Sequence, residues 1–130
     1  MRDEQLKNIE WGLNTGGNNS LFVTVDYSRN YLYLSTSVRS YIQGDDYTLG
    51  LNKEHKLLAV KPAEAGENFI RPNKGRIGSR VLCYKLYKLL GLKKEGDKDE
   101  LPTVRYLGRK DKLNGNDIII FDLTNPVYKN

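Results

Sequence analysis

One cysteine, Cys83, and one histidine, His55, are all that 130 residues hold of those two types. A single thiol closes no internal disulfide, and with one imidazole it falls short of the usual ligand set of a zinc site. Serine–histidine and cysteine–histidine catalysis would both have to run through His55. No run of about 18 apolar residues occurs, so no membrane-spanning helix is expected. Met1 to Glu10 is charged and has no apolar stretch, which reads as the absence of a secretory signal; with the lone thiol this points to a reduced, cytoplasmic setting. Gly16-Gly17 and Gly75-Arg76-Ile77-Gly78 lack the following lysine-bearing helix that a phosphate loop requires. The acidic groups Asp45-Asp46 and Glu95, Asp97, Asp99, Glu100 lack the spacing of a calcium loop and read as solvated loops. Together these absences lean away from hydrolase and metalloenzyme chemistry. The expectation is a protein that is not an enzyme, with no metal and no cofactor.

What is present is a polar chain of 14.9 kDa with 38% hydrophobic residues, nine tyrosines and a mean hydropathy of -0.62. That is the size of one domain, here residues 1–130, and long enough to bury a core. The formal charge of +5 is unevenly placed. Residues 1–65 hold seven basic and eight acidic side chains, whereas residues 66–130 hold fourteen and eight. Residues 71–88 carry Arg71, Lys74, Arg76, Arg80, Lys85 and Lys88 with no acid among them. A second cluster is Arg105, Arg109, Lys110 and Lys112. Like charges at this density repel unless an anion or an acidic surface compensates them; the bland alternative is an ordinary solvated face.

Along the chain, residues 1–13 carry Leu6, Ile9 and Leu13 at helical spacing and read as a short N-terminal helix. Leu21–Val25 and Tyr31–Leu34 read as strands around a turn at 26–30. Ser35 is placed to cap a short helix through Val38 and Ile42, ending at Gly44. Tyr47–Leu51 and Leu57–Val60 read as a hairpin stopped by Pro62. Phe69-Ile70 starts another extended segment, and Arg76–Gly78 is a short strand. Ser79 opens the best helix, with Leu82, Leu86, Leu89 and Leu90 on one face and Gly91 as its left-handed cap. Residues 93–102 read as a charged loop, Thr103–Leu107 as a strand, 108–116 as a loop and Asp117–Leu123 as the most apolar strand, with order ending at Pro126. Cys83 reads as a small, partly buried apolar residue, and His55 as exposed in a turn.

A shift of 44 residues sets Ser35 on Ser79, Val38 on Leu82 and Ile42 on Leu86. The chain thus reads as two β-α-β-β pseudo-repeats, about 21–62 and 69–124, in an α+β, β-rich barrel or half-barrel. The run Gly75-Arg76-Ile77-Gly78-Ser79, then Leu86, Leu90-Gly91-Leu92 and Gly96-Asp97 before two strands, resembles the AbrB/MazE/SpoVT-type swapped-hairpin barrel. The resemblance covers about 69–123, with a fainter copy at 21–60. Arg80 stands where that family commonly has proline, the helix is about one turn longer, and the second hairpin loop is long.

The resemblance implies binding of duplex DNA by basic side chains on the strand-turn-strand edge before the helix. Position by position it points to Arg71, Lys74 and Arg76, with Arg29 at the matching turn of the first copy. Arg80 joins on charge alone. Lys85 and Lys88 lie beside Tyr84 and Tyr87, an arrangement in which rings can stack on bases; a packed ring with a wet hydroxyl is the plainer role for tyrosine. The Asn-, Lys- and Tyr-rich composition resembles proteins of low-GC Gram-positive bacteria and their phages. Two functions follow as expectations: a DNA-binding regulator with no membrane association, or a phage-encoded interaction module directed at a host protein partner, an enzyme or a defence complex.

Overall fold

The computed structural model describes residues 20–42, 44–92 and 101–129. The helix expected over 1–13 and most of the charged loop at 93–102 lie outside these residues. The elements follow as β1 (Phe22–Asp26), β2 (Tyr31–Leu34), α1 (Thr36–Tyr41), β3 (Tyr47–Asn52), β4 (Leu57–Pro62), β5 (Arg76–Gly78), α2 (Arg80–Leu90), β6 (Thr103–Leu113) and β7 (Asn116–Lys129). The strands form one antiparallel sheet in the order β3-β4-β7-β6-β1-β2-β5, curled into a half-barrel. No helix among the described residues is long and apolar enough to cross a membrane.

Turn chemistry explains the hairpins. Asp26 Oδ1 accepts a bond from the Arg29 amide at 3.0 Å and Asn30 takes φ 60°, a conformation that asparagine tolerates. Asn52 repeats the device, accepting from the His55 amide at 2.9 Å. Asn114 and Gly115 both have positive φ, 52° and 82°, and form the two-residue turn whose twist matches a hairpin. This corrects the loop expected at 108–116: β6 continues to Leu113 and β7 begins at Asn116. The run Arg109-Lys110-Asp111-Lys112 looks loop-like because its side chains are exposed. Its backbone pairs with Asp117–Ile120, and Lys112 Nζ meets Asp117 Oδ1 at 2.9 Å. Nor does order end at Pro126, which sits in the ladder opposite Tyr106 beside an irregularity, where a missing N–H is tolerated. Of Phe69-Ile70, only Ile70 is paired, in an isolated bridge to Tyr47.

The two helices start differently. Ser79 Oγ accepts from the Leu82 amide at 3.1 Å, and Gly91 closes α2 at φ 62°. Ser35 precedes α1 but does not cap it with its side chain. Its hydroxyl accepts from the Phe22 amide at 3.1 Å and donates to the Ser20 carbonyl at 2.8 Å. The buried hydroxyl is committed to tying down the start of β1, and α1 stops at Tyr41 rather than at Gly44. So short a helix is held by packing, with Val38 and Ile42 in the core.

The core is one cluster on the inner side of the sheet. Val23 and Val25, Leu32 and Leu34, Leu58 and Val60, Val104 and Tyr106, and Ile119, Phe121 and Leu123 alternate inward, and α2 adds Cys83 and Leu86. The Tyr27 and Tyr106 hydroxyls bond to each other at 2.8 Å inside it, so these two are buried rather than wet as expected. Each side chain satisfies the other's polar atom, which avoids the penalty of a lone buried hydroxyl.

The β6–β7 ladder is irregular next to Gly108. β7 pairs with β4 over Ile119–Asp122 and with β6 along its other edge, and the β6–β7 register shifts on either side of Tyr106. Residues 122–125 absorb the excess: Asp122 Oδ1 accepts from the Thr124 amide at 2.9 Å and from its hydroxyl at 2.6 Å. A Cβ on Gly108 would lie 2.7 Å from Phe121 Cε1 and 2.8 Å from Ile119 Cγ2, both on buried residues. Gly108→Ala is therefore expected to destabilise the fold by about 2 kcal/mol through overpacking. Urea unfolding reads this as a lower midpoint, and an unchanged midpoint would refute the constraint.

Candidate nucleic-acid interface

The side of β6-β1-β2-β5 facing away from the core carries a different set of residues. Register places Arg105 opposite Thr24, Thr24 opposite Tyr33 and Tyr33 opposite Arg76. This row crosses four strands and spans about 14 Å at the usual strand spacing. One pair along, Phe22 lies opposite Leu107, and Tyr31 lies between Asp26 and Gly78. Arginines lie over the rings: Arg105 Cζ is 4.0 Å from the Phe22 centroid, Arg76 Cζ 4.9 Å from Tyr31 and Arg39 Cζ 5.8 Å from Tyr33. Arg105 Nε also donates to Thr24 Oγ1 at 3.3 Å. The face thus interleaves guanidinium groups and rings, with Tyr31 and Tyr33 half-buried and Phe22 buried.

At the α1 end of this face lies a cavity of about 290 Å³ lined by Arg39, Gly44, Asp45, Tyr47, Arg71, Pro72, Lys74 and Gly75. The turn Asn73-Lys74-Gly75-Arg76 forms one wall, with Lys74 at φ 52° and Gly75 at φ 86°. Gly75 is needed twice over. Its φ suits glycine, and a Cβ would lie 2.9 Å from Tyr33 Cε2 and 3.0 Å from both Arg39 Nε and the Leu34 carbonyl oxygen. Arg39 Nη2 donates to Thr36 Oγ1 at 3.2 Å. Its Nε–H is buried and, among the described residues, has no hydrogen-bond partner. Arg71 is paired with Asp46, Nε to Oδ1 at 2.8 Å, and this bond holds its guanidinium firmly protonated.

The structure divides the residues singled out in the sequence. Arg71, Lys74 and Arg76 gather around the β5 turn, and Arg76 faces the outer row. Arg80, Lys85 and Lys88 follow on α2, all exposed, with Lys88 Nζ 5.5 Å from the Tyr84 centroid. Arg29 lies in the β1–β2 turn, where its side chain is 78% exposed and its Nε is 4.0 Å from Asp26 Oδ2. Ser79 donates to the Asn30 carbonyl at 3.0 Å, so the start of α2 adjoins that turn, at the opposite end of β2 from the cavity. Sequence reasoning did not select Arg39, one of seven scattered cations in the acid-leaning half. It named Arg105 only as part of a basic cluster. The signal that could have found Arg105 is the alternation of Thr103–Leu107, which puts it on the face opposite Val104 and Tyr106.

No protein-family model matches this chain, no curated protein matches it, and no solved structure matches it.

The nucleophile candidates sit apart from this face. His55 is exposed in the β3–β4 turn. Cys83 is 1% exposed, and burial, with the nearby Asp26 charge second, pushes its thiol up from 9.0 to about 11. The expected partial burial is therefore complete burial. A thiol whose value is raised in the folded state supports stability below its unfolded value, and that support is lost as pH rises through the folded value. Cys83 is expected to resist an aromatic disulfide reagent at pH about 8 until the chain unfolds, with stability declining from pH about 9 towards 11. Rapid labelling of the folded protein at the lower pH would contradict this placement.

Proposed function

We propose that this is a non-enzymatic nucleic-acid-binding protein whose binding surface is the outer face of β6-β1-β2-β5. The observation that carries the reading is the cross-strand row Arg105-Thr24-Tyr33-Arg76, at whose two ends a guanidinium lies over an aromatic ring, Arg76 over Tyr31 and Arg105 over Phe22. Guanidinium groups held in this way offer charge for phosphates together with flat surfaces on which unpaired bases stack. A row lying across the sheet favours a strand whose bases are accessible; duplex DNA, contacted from the turn before α2 as the family resemblance implies, is the competing form of the same function. The order β2, α1, β3, β4 followed by β5, α2, β6, β7 supports a diverged duplication, in which the second copy carries most of the positive charge.

A second reading has its own observation. Val81 and Tyr84, 68% and 57% exposed, lie one turn apart on α2 between basic residues, which suits an interface with a protein partner.

The test is fluorescence anisotropy with a labelled single strand of about 15 nucleotides, and with the corresponding duplex, from about 50 to 200 mM salt. The single strand is expected to bind roughly micromolar at low salt and more tightly than the duplex. The double substitution Arg76→Gln with Arg105→Gln is expected to weaken it about tenfold and to flatten the salt slope by about 1.4. Wild-type affinity in the double variant would contradict the assignment of this face. Tighter duplex binding, lost on Arg76→Ala with Arg80→Ala, would favour the turn-and-helix surface. Loss of a protein complex on Val81→Asp, with no nucleic acid bound, would favour the second reading.

A further inference from the structure

The cavity beside the outer face gathers three cations, Arg39, Arg71 and Lys74, in its lining. Arg39 makes no ion pair among the described residues, its Nε–H lies buried beside Gly75 without a partner, and Arg39 is one of the residues lining the cavity. A buried donor of this kind is costly, and an anion on the terminal nitrogens would add charge-assisted hydrogen bonds to the same group, stabilising the arrangement that carries that cost. Lys74 is the second sign. The protein contains the same two-residue turn elsewhere, at Asn114-Gly115, and there uses asparagine, which adopts positive φ readily. At Lys74-Gly75 the equivalent position is a lysine; lysine also takes positive φ at Lys56, away from the cavity, so what marks Lys74 is its place in the cavity lining. Arg71 completes the set, and its bond to Asp46 uses only Nε, leaving its terminal nitrogens to donate.

We infer that this cavity is a phosphate subsite, and that its occupant is a backbone phosphodiester of the single strand lying on the outer face. This deepens the nucleic-acid reading and rests on it. Charge selects the diester. Arg39, Arg71 and Lys74 face Asp45 in the lining and Asp46 behind Arg71, which leaves one net positive charge in the group. That balances a diester, which carries a single negative charge, and underserves a terminal phosphate or free inorganic phosphate carrying close to two. Position agrees: Gly75 touches both Arg39 and Tyr33, so a phosphate in the cavity continues into the row of rings and guanidinium groups without a gap.

The experiment uses the full chain and an unphosphorylated single strand of about 15 nucleotides, alongside the same strand bearing a 5′-phosphate and inorganic phosphate as a competitor. Two substitutions are compared. Lys74→Asn removes the charge and installs a residue that favours the turn, so Tm is expected to rise by about 3 °C while affinity falls about tenfold. Arg39→Gln removes the guanidinium with its unpartnered Nε–H, with the same loss of affinity. Each is expected to flatten the salt slope by about 0.7, the value for one phosphate contact on a single strand. A purely structural role for Lys74 would leave affinity and slope unchanged, and that result would overturn the proposal. Equal binding of the two strands, with no competition by inorganic phosphate at millimolar levels, supports the diester. A preference of tenfold or more for the 5′-phosphate would overturn it. If Arg76→Gln with Arg105→Gln loses binding while Lys74→Asn and Arg39→Gln do not, the subsite fails and the outer face stands. If the wild-type chain binds no strand at low salt, both fail together.

Discussion

Where β7 passes between β4 and β6, a strand has to run in contact with the Phe121 ring, and only a residue without a Cβ fits. Gly108 meets that constraint, with Phe121 and Ile119 closed over its Cα. The rest of the architecture follows from the approach. The β6–β7 register is interrupted beside it, residues 122–125 have no partner on β6, and β7 goes on to pair β4 of the β3-β4 hairpin through Ile119–Asp122. α1 then packs inside, and Tyr41 joins it to the ribbon, with Lys110 Nζ 4.7 Å from its ring. The position of α1 in turn decides where Arg39 points.

The net charge of the chain is a weaker guide to function than its local arrangement. The second half holds the positive excess, yet the surface argued for here is shared. Arg39, Phe22, Tyr31 and Tyr33 come from the first half, and Arg71, Lys74, Arg76 and Arg105 from the second. Antiparallel pairing of β1 with β6 and of β2 with β5 interleaves them. The two acids beside the cavity, Asp45 and Asp46, also come from the first half. They moderate the cluster, so that it suits a single charge on a ligand and does not simply repel itself.

Much of the fold was legible because local chemistry and tertiary packing agree. β2 has the boundaries read from alternation, β5 those of the short extended run read at Arg76–Gly78, and α2 the cap at Ser79 and the stop at Gly91 read from sequence. Failures came where one residue served two demands. Ser35 looked like a helix cap, but its hydroxyl holds the start of β1, a contact 15 residues away on the Ser20 carbonyl. The charged stretch 109–112 looked like a loop because a two-stranded ribbon exposes both faces near its tip, and alternation there carries no apolar signal. Asn114-Gly115 was the local sign of the hairpin and outweighs the composition around it. The site divided in the same way. Arg71, Lys74 and Arg76 were found as a run of charge, whereas Arg39 and Arg105 depend on cross-strand register and on a helix packed beneath the sheet, neither of which a linear reading supplies.

The central claim is that the outer face of β6-β1-β2-β5 contacts nucleic acid. The most direct measurement is an NMR titration that follows backbone amides and arginine Nε–H groups as a single strand is added. The account predicts shifts concentrated at residues 22–24, 31–35, 74–78 and 103–107 and at the Nε–H of Arg39, Arg76 and Arg105, with the β3–β4 hairpin tip unaffected. Shifts confined to α2, or to the β3–β4 hairpin, would contradict it.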